Sequence, residues 1–335
     1  MHFAFTDLSI ELALEIVRLA SAPVIVSDET AFIGCSTGKS TKTSYYSTAL
    51  ALASVSYAIR QVTMPYLLHT VVLHSTSNVH AFIDALRLQE EYSQCSSRLR
   101  LDYKTLVRRL WSTECWDGVV DDIAHSGTDY TVLYPVLSGL ESLGLNFRSL
   151  SLLYNGLAHA SLNFAQEWKC RHVTLAGPMV RWKPLTSTPE GLVFLGQITH
   201  LTLWIPEHTT ISGFPPPFSE SLVPQWVQTA PFSYMPNLTH FACPLVLRDA
   251  SYKFSQMVVY RVPPDCHDPA LLRRWVLGGE PLVHGVVVQA DVPRANKNSF
   301  TYGDYFDDSS WERAYMQARN ESIWKEAEEL LSCKR

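Results

Sequence analysis

Three short segments constrain the fold of this chain most: His172-Val173-Thr174-Leu175, His200-Leu201-Thr202-Leu203 and Asn237-Leu238-Thr239-His240-Phe241. In each, apolar residues alternate with polar ones, the period of a β-strand whose inward positions are apolar. Further strand-like runs lie at 70–73, 106–111, 148–153, 171–175, 199–204, 238–242, 257–262 and 284–289. Helical patterns separate them, the cleanest being Val79, Phe82, Ile83 and Leu86 after a cap at Asn78. Strand-helix alternation predicts an α/β fold. A solenoid of degenerate strand-plus-helix units gives it, and so does a doubly wound sheet.

The N-terminal region has a different texture. From Leu8 to Ala20 the charged residues are Glu11, Glu15 and Arg18, which share one narrow helical stripe. Leu8, Ile10, Leu12, Leu14, Ile16, Val17 and Leu19 occupy nearly all the rest. A helix that apolar needs two coverings, one from its own domain and one from a partner protein. A second apolar run, 49–73, follows a polar gap and includes Leu50, Leu52 and Val55.

The pattern Leu8-Ser9-Ile10-Glu11-Leu12-Ala13-Leu14-Glu15-Ile16-Val17, then 49–60, then Met64-Pro65-Tyr66-Leu67-Leu68 leading into Thr70-Val71-Val72-Leu73, resembles an F-box in the divergent form common in fungal proteins. Ser9 stands where such motifs usually carry proline, and the gap at 27–44 is longer than the usual connection between their helices. The resemblance implies an F-box-like helical module over 1–69, with a flexible insert at 27–44. A leucine-rich-repeat-like solenoid over 70–308 and a C-terminal capping helix over 309–335 would follow. It further implies that Leu8, Ile10, Leu12, Leu14, Ile16, Val17, Leu50, Leu52 and Val55 bind a Skp-type adaptor of a cullin-RING ubiquitin ligase. The repeats would select a protein target. The alternative is a solenoid scaffold for protein interactions whose N-terminal helices only cap the domain.

Composition agrees with an interaction protein. At 335 residues, 47% hydrophobic and 18% charged, the chain can bury a large core. Its net charge of -5, without a Lys/Arg block, offers no footprint for nucleic acid or an anionic membrane. Seven scattered cysteines without a Cys-x-x-Cys pair fit a reducing compartment and argue against a structural zinc site. Asp7, Glu11 and Glu15 interrupt the N-terminal apolar stretch, so it does not read as a signal peptide. We expect a cytoplasmic or nuclear protein. In the tail, Ser309 and Glu312 have capping-box spacing, and Trp311, Tyr315, Ala318, Ile323, Ala327, Leu330 and Leu331 form one apolar face. That helix is expected to shield the last strand near Val286–Val288.

Two motifs in the polar gap suggest catalysis. Gly34-Cys35-Ser36-Thr37-Gly38 has the spacing of a nucleophile elbow, but no strands precede it to build the required sheet. With Lys39 and Ser40 it approaches a phosphate-binding loop, yet one residue is missing between the glycines. Histidines His172, His200 and His240 sit at matching strand positions, which would stack them along the sheet; no His-x-His or His-Glu-x-x-His spacing supports a metal. Neither an enzyme activity nor a cofactor is expected. Replacing 27–44 by a short linker should leave the melting temperature within a few degrees, as read by calorimetry; a collapse of the fold would refute the insert.

Overall fold

A computed structural model describes residues 9–21, 47–113, 129–158, 168–176, 181–204, 230–244, 254–262, 285–293 and 319–333. The motifs at 27–44 and the tail residues 309–318 lie outside them. The chain forms two compact units, Met1–Val71 and Val72–Arg335.

Among its described residues the first unit carries three helices: α1 (Ile10–Ser21), α2 (Ser47–Ala53) and α3 (Tyr57–His69). The Ser56 side chain caps α3 by accepting from the Ile59 N–H, at 3.3 Å. Pro65 lies inside α3, where its ring leaves the Gln61 carbonyl without the usual helical donor. Helix α3 packs against both α1 and α2 and buries Thr63, Met64 and Leu68. It runs directly into strand β1 (Thr70–Leu73).

The second unit is mixed α/β. After β1 come α4 (Thr76–Gln94), α5 (Tyr103–Leu106), β2 (Arg109–Ser112), α6 (Tyr134–Gly139), β3 (Ser142–Asn146), α7 (Leu150–Ala158), β4 (His172–Ala176), α8 (Lys183–Thr186), α9 (Pro189–Gln197) and β5 (His200–Trp204). Strands β6 (His240–Pro244), β7 (Phe254–Arg261) and β8 (Gly285–Pro293) follow, then helix α10 (Arg319–Cys333). The strands form one sheet in chain order, β1-β2-β3-β4-β5-β6-β7-β8. Pairing is parallel from β2 to β6 and antiparallel from β6 to β8. A doubly wound sheet reverses its strand order midway; this sheet does not.

Each parallel strand is fastened to its predecessor in the same way. The Arg108 carbonyl accepts from the N–H groups of Glu141 and Ser142, Glu141 from Arg171 and His172, Arg171 from Thr199 and His200, and Thr199 from Thr239 and His240. One carbonyl thus satisfies two donors at every strand start and fixes the register. Strand alternation then divides the side chains into two sets of rows. Leu110, Leu143, Val173, Leu201, Phe241 and Tyr260 form one buried row, and Ser112, Leu145, Leu175 and Leu203 the next. This face meets the helical layer. Phe241 packs edge-on to Phe232 with centroids 5.0 Å apart, and the Ser112 hydroxyl donates to Ser149 at 2.9 Å. Within the layer, Trp168 bridges Tyr134 and Phe194 through two T-shaped contacts at 5.5 Å. The thiols of Cys170 and Cys243 are buried, and burial pushes that of Cys170 up to about 12, so it stays protonated and unreactive.

The strand expected at 148–153 is a correction. That segment is a 3-10 turn followed by α7, while the strand lies earlier, at Ser142–Asn146. Leu150, Leu153 and Leu157 recur at helical spacing and are all buried. Gly144 breaks the apolar texture of the real strand, whose Leu143 and Leu145 point to the core. The run at 106–111 is likewise divided, α5 ending at Leu106 and β2 starting at Arg109. Helix α4 has its cap one turn earlier than Asn78, at Ser75, whose side chain accepts from the Asn78 N–H.

Two glycines in α9 make a matched test. A Cβ at Gly191 would lie 2.2 Å from the Leu185 carbonyl oxygen and 2.5 Å from its Cα, so α8 backbone would have to move. At Gly196 nothing lies within 4 Å. In urea denaturation Gly191→Ala should destabilise by about 1–3 kcal/mol. Gly196→Ala should be neutral or stabilising by up to about 1 kcal/mol, through helix propensity alone.

Candidate functional site

In the first unit, α1 turns its smaller side chains inward. Val17 and Ser21, one turn apart, are its buried residues. The Ser21 hydroxyl donates to the Val17 carbonyl at 2.6 Å and lies 3.4 Å from Thr63 Oγ1 of α3. Leu12, Ile16 and Leu19 follow i, i+4, i+7 spacing on the opposite stripe and are exposed, Leu19 by 63%. Ile10 and Leu14 share the stripe of Val17 nearer the N-terminus, yet Ile10 is 69% exposed and Leu14 is exposed as well. Helix α2 follows the same rule: Ala49 is buried, Leu50 is exposed and Leu52 is half-buried. Val55, between α2 and α3, is 65% exposed, and Tyr57 at the start of α3 is also exposed.

Of the residues expected to bind an adaptor, Ile10, Leu12, Leu14, Ile16, Leu50 and Val55 are therefore open to solvent, Leu52 is partly so, and Leu8 lies outside the described residues. Val17 is the exception. It is 4% exposed, part of the internal packing, and unavailable to a partner without unfolding. The charged stripe is accounted for locally by the Arg18–Glu15 ion pair.

The second unit carries a different constellation on the sheet face opposite the leucine rows. The register aligns His172, His200 and His240 on β4, β5 and β6. Their rings form a ladder: His172 and His200 centroids are 4.3 Å apart, His200 and His240 4.5 Å apart and nearly parallel. Thr199 and Thr239 hydroxyls lie 2.9 Å from Nδ1 of His200 and His240. Helix α10 covers the ladder. Trp324 meets His200 and His240 in T-shaped contacts at 5.1 and 5.8 Å. Glu328, one turn on, places Oε1 2.6 Å from His240 Nε2 and Oε2 3.6 Å from Arg261 Nη1 of β7.

Beside the ladder, Ile323, Trp324 and Ala327 join Trp111, Ala176, Ala242 and Val259 in one apolar cluster. Helix α10 packs on β7 and β8, as an element shielding the last strands. Leu330, expected on its inner face, is 40% exposed instead, whereas Leu331 packs against the cluster. The ladder was visible in the sequence as three matching histidines. Its cover was not: Trp324 and Glu328 are separated from His172 by most of the domain, and only their i, i+4 spacing hints at a shared partner. Among the described residues, no group of three or more His, Cys, Asp or Glu is placed to hold a metal ion, and no helix is long and apolar enough to cross a membrane.

Burial and the flanking imidazoles of His172 and His240 push the His200 ring down to about 3, well below an ordinary histidine. No known family, curated protein or solved structure matches the chain.

The lowered His200 value sets a pH dependence. Above the ordinary histidine value of about 6.5 the ring is neutral both folded and unfolded, and stability is full. Below it the unfolded chain takes up a proton that the folded chain refuses until about pH 3, so stability falls through that window. Partial exposure of the ring discounts the full linkage. Between pH 7.5 and 5.5 we expect a loss of about 1 kcal/mol in urea denaturation from this residue, absent in His200→Phe.

Proposed function

We propose that this protein is a substrate-recognition subunit of an SCF-type ubiquitin ligase. Its N-terminal helices dock on a Skp-type adaptor, and a leucine-rich-repeat-like solenoid in the second unit selects the protein to be ubiquitinated. The chain then carries no chemistry of its own; it brings two proteins together.

The observation that carries this reading is the orientation of α1 and α2. Small residues such as Ala49 and Ser21 face inward, while Leu12, Ile16, Leu19 and Leu50 face water. Leaving large aliphatic side chains in water forgoes about 1.5–3 kcal/mol each, a cost that covering by a partner removes. Such a contiguous apolar surface on a small helical unit is the mark of an interaction site. The F-box resemblance of 8–17, 49–60 and 64–73 supplies the class of partner. For the second unit, support comes from parallel strands in chain order with helices between them and from the recurring strand-start hydrogen bonds.

Exchanging Leu12 and Leu19 for aspartate tests the reading without touching Val17 or Ser21. The double variant should keep its far-ultraviolet circular dichroism and melting temperature but lose a Skp-type adaptor in a pull-down, since two desolvated charges cost several kcal/mol at an apolar interface. Adaptor binding by the variant at wild-type strength would overturn it. Absence of binding by the wild type, where other F-box proteins bind, would favour the scaffold.

A further inference from the structure

The histidine ladder is more than packing, because of what faces it. On the sheet its charged and titratable neighbours are Arg261 on β7 and, two strands from His172 in the same row, Arg109 on β2. From α10 comes Glu328, while Lys325, Glu326 and Glu329 of that helix are exposed. Among these groups the one carboxylate over the ladder is already shared between His240 and Arg261. A proton arriving on His200 therefore meets two imidazoles within 4.5 Å, the indole of Trp324 and, among the described residues, no carboxylate paired with it.

We propose that α10 is a proton-released cover: the ladder of His172, His200 and His240 seats the helix through Trp324 and Glu328, and proton uptake by His200 lifts it from the sheet. The cover packs on β7 and β8 and, through its buried residues, on an apolar strip beside the ladder. Ile323, Trp324 and Ala327 are its buried residues, against a strip made of Trp111, Ala176, Ala242 and Val259. Once α10 lifts, His200 regains water and ordinary basicity. Protons and the helix therefore compete for the same face. The low value held by His200 under the cover has this sign, since the seated state is the one that refuses the proton. Opening also bares the apolar strip, so acidification exposes a surface that is closed at neutral pH. The device does not depend on which partner the N-terminal helices take.

Hydrogen exchange on the full-length chain tests it, with amide rates corrected for the intrinsic effect of pH. Between pH 7.5 and 5.5 the opening of α10 should rise about tenfold, the limit for one proton taken up by one ordinary histidine, while amides of β4, β5 and β6 stay protected. His200→Phe keeps a ring in the stack but cannot take the proton, and should make α10 opening independent of pH. Two results would overturn the proposal: α10 opening unchanged across this range in the wild type, or α10 and the three strands exchanging together in one global event at both pH values. If His200→Phe does not fold, the wild-type contrast between α10 and the strands still decides.

Discussion

The carbonyl shared by two N–H groups at each strand start is the interaction on which the second unit depends. Arg108, Glu141, Arg171 and Thr199 each accept from a successive pair at the start of the next strand, so β3, β4, β5 and β6 are each aligned by their first residue. Alignment by the first residue places every later residue as well, because side chains alternate along a strand. The leucine rows and the imidazole ladder are thus two consequences of one registration, one on each face of the sheet. A slip of one residue in β4, β5 or β6 would send a histidine into the leucine layer and an apolar side chain onto the ladder face.

Such fastening also makes the connections between strands nearly free in length. Arg109, Ser142, His172, His200 and His240 occupy the same row at spacings of 33, 30, 28 and 40 residues, so the step to β6 is longer than the others. Loop closure costs rise only slowly with length, so irregular spacing carries little penalty. The repeating element of this chain is therefore geometric.

This explains which features could be read in advance. The strands with clear alternation, at His172, His200 and His240, were legible because one face is aliphatic and the other polar. Helix α4 was legible because Val79, Phe82, Ile83 and Leu86 recur at helical spacing. Strand β3 was not, since Ser142 and Gly144 on one face and Leu143 and Leu145 on the other give too weak a local signal beside the leucine-rich α7. In the N-terminal unit the apolar abundance was plain, but its division was hidden. In α1 the buried positions are Val17 and the polar Ser21 while the outward Leu12, Ile16 and Leu19 are apolar, so polarity does not mark the inner face. Val17, expected to face a partner, is buried among the internal positions. The partnership of Trp324 and Glu328 with the ladder depends on tertiary placement, which no local pattern encodes.

Helix α10 stands apart in the order of assembly. Neighbouring strands β2 to β8 pair successively, so the sheet can grow by local steps, each closing one modest loop. The cover instead joins a cluster that reaches from Trp111 on β2 to Trp324 near the chain's end. Its seat spans β4 to β8 and does not exist until those strands are in register. Docking of α10 is thus a late kinetic event, and a ribosome-bound chain stalled before Arg319 would present a finished sheet with one face still wet.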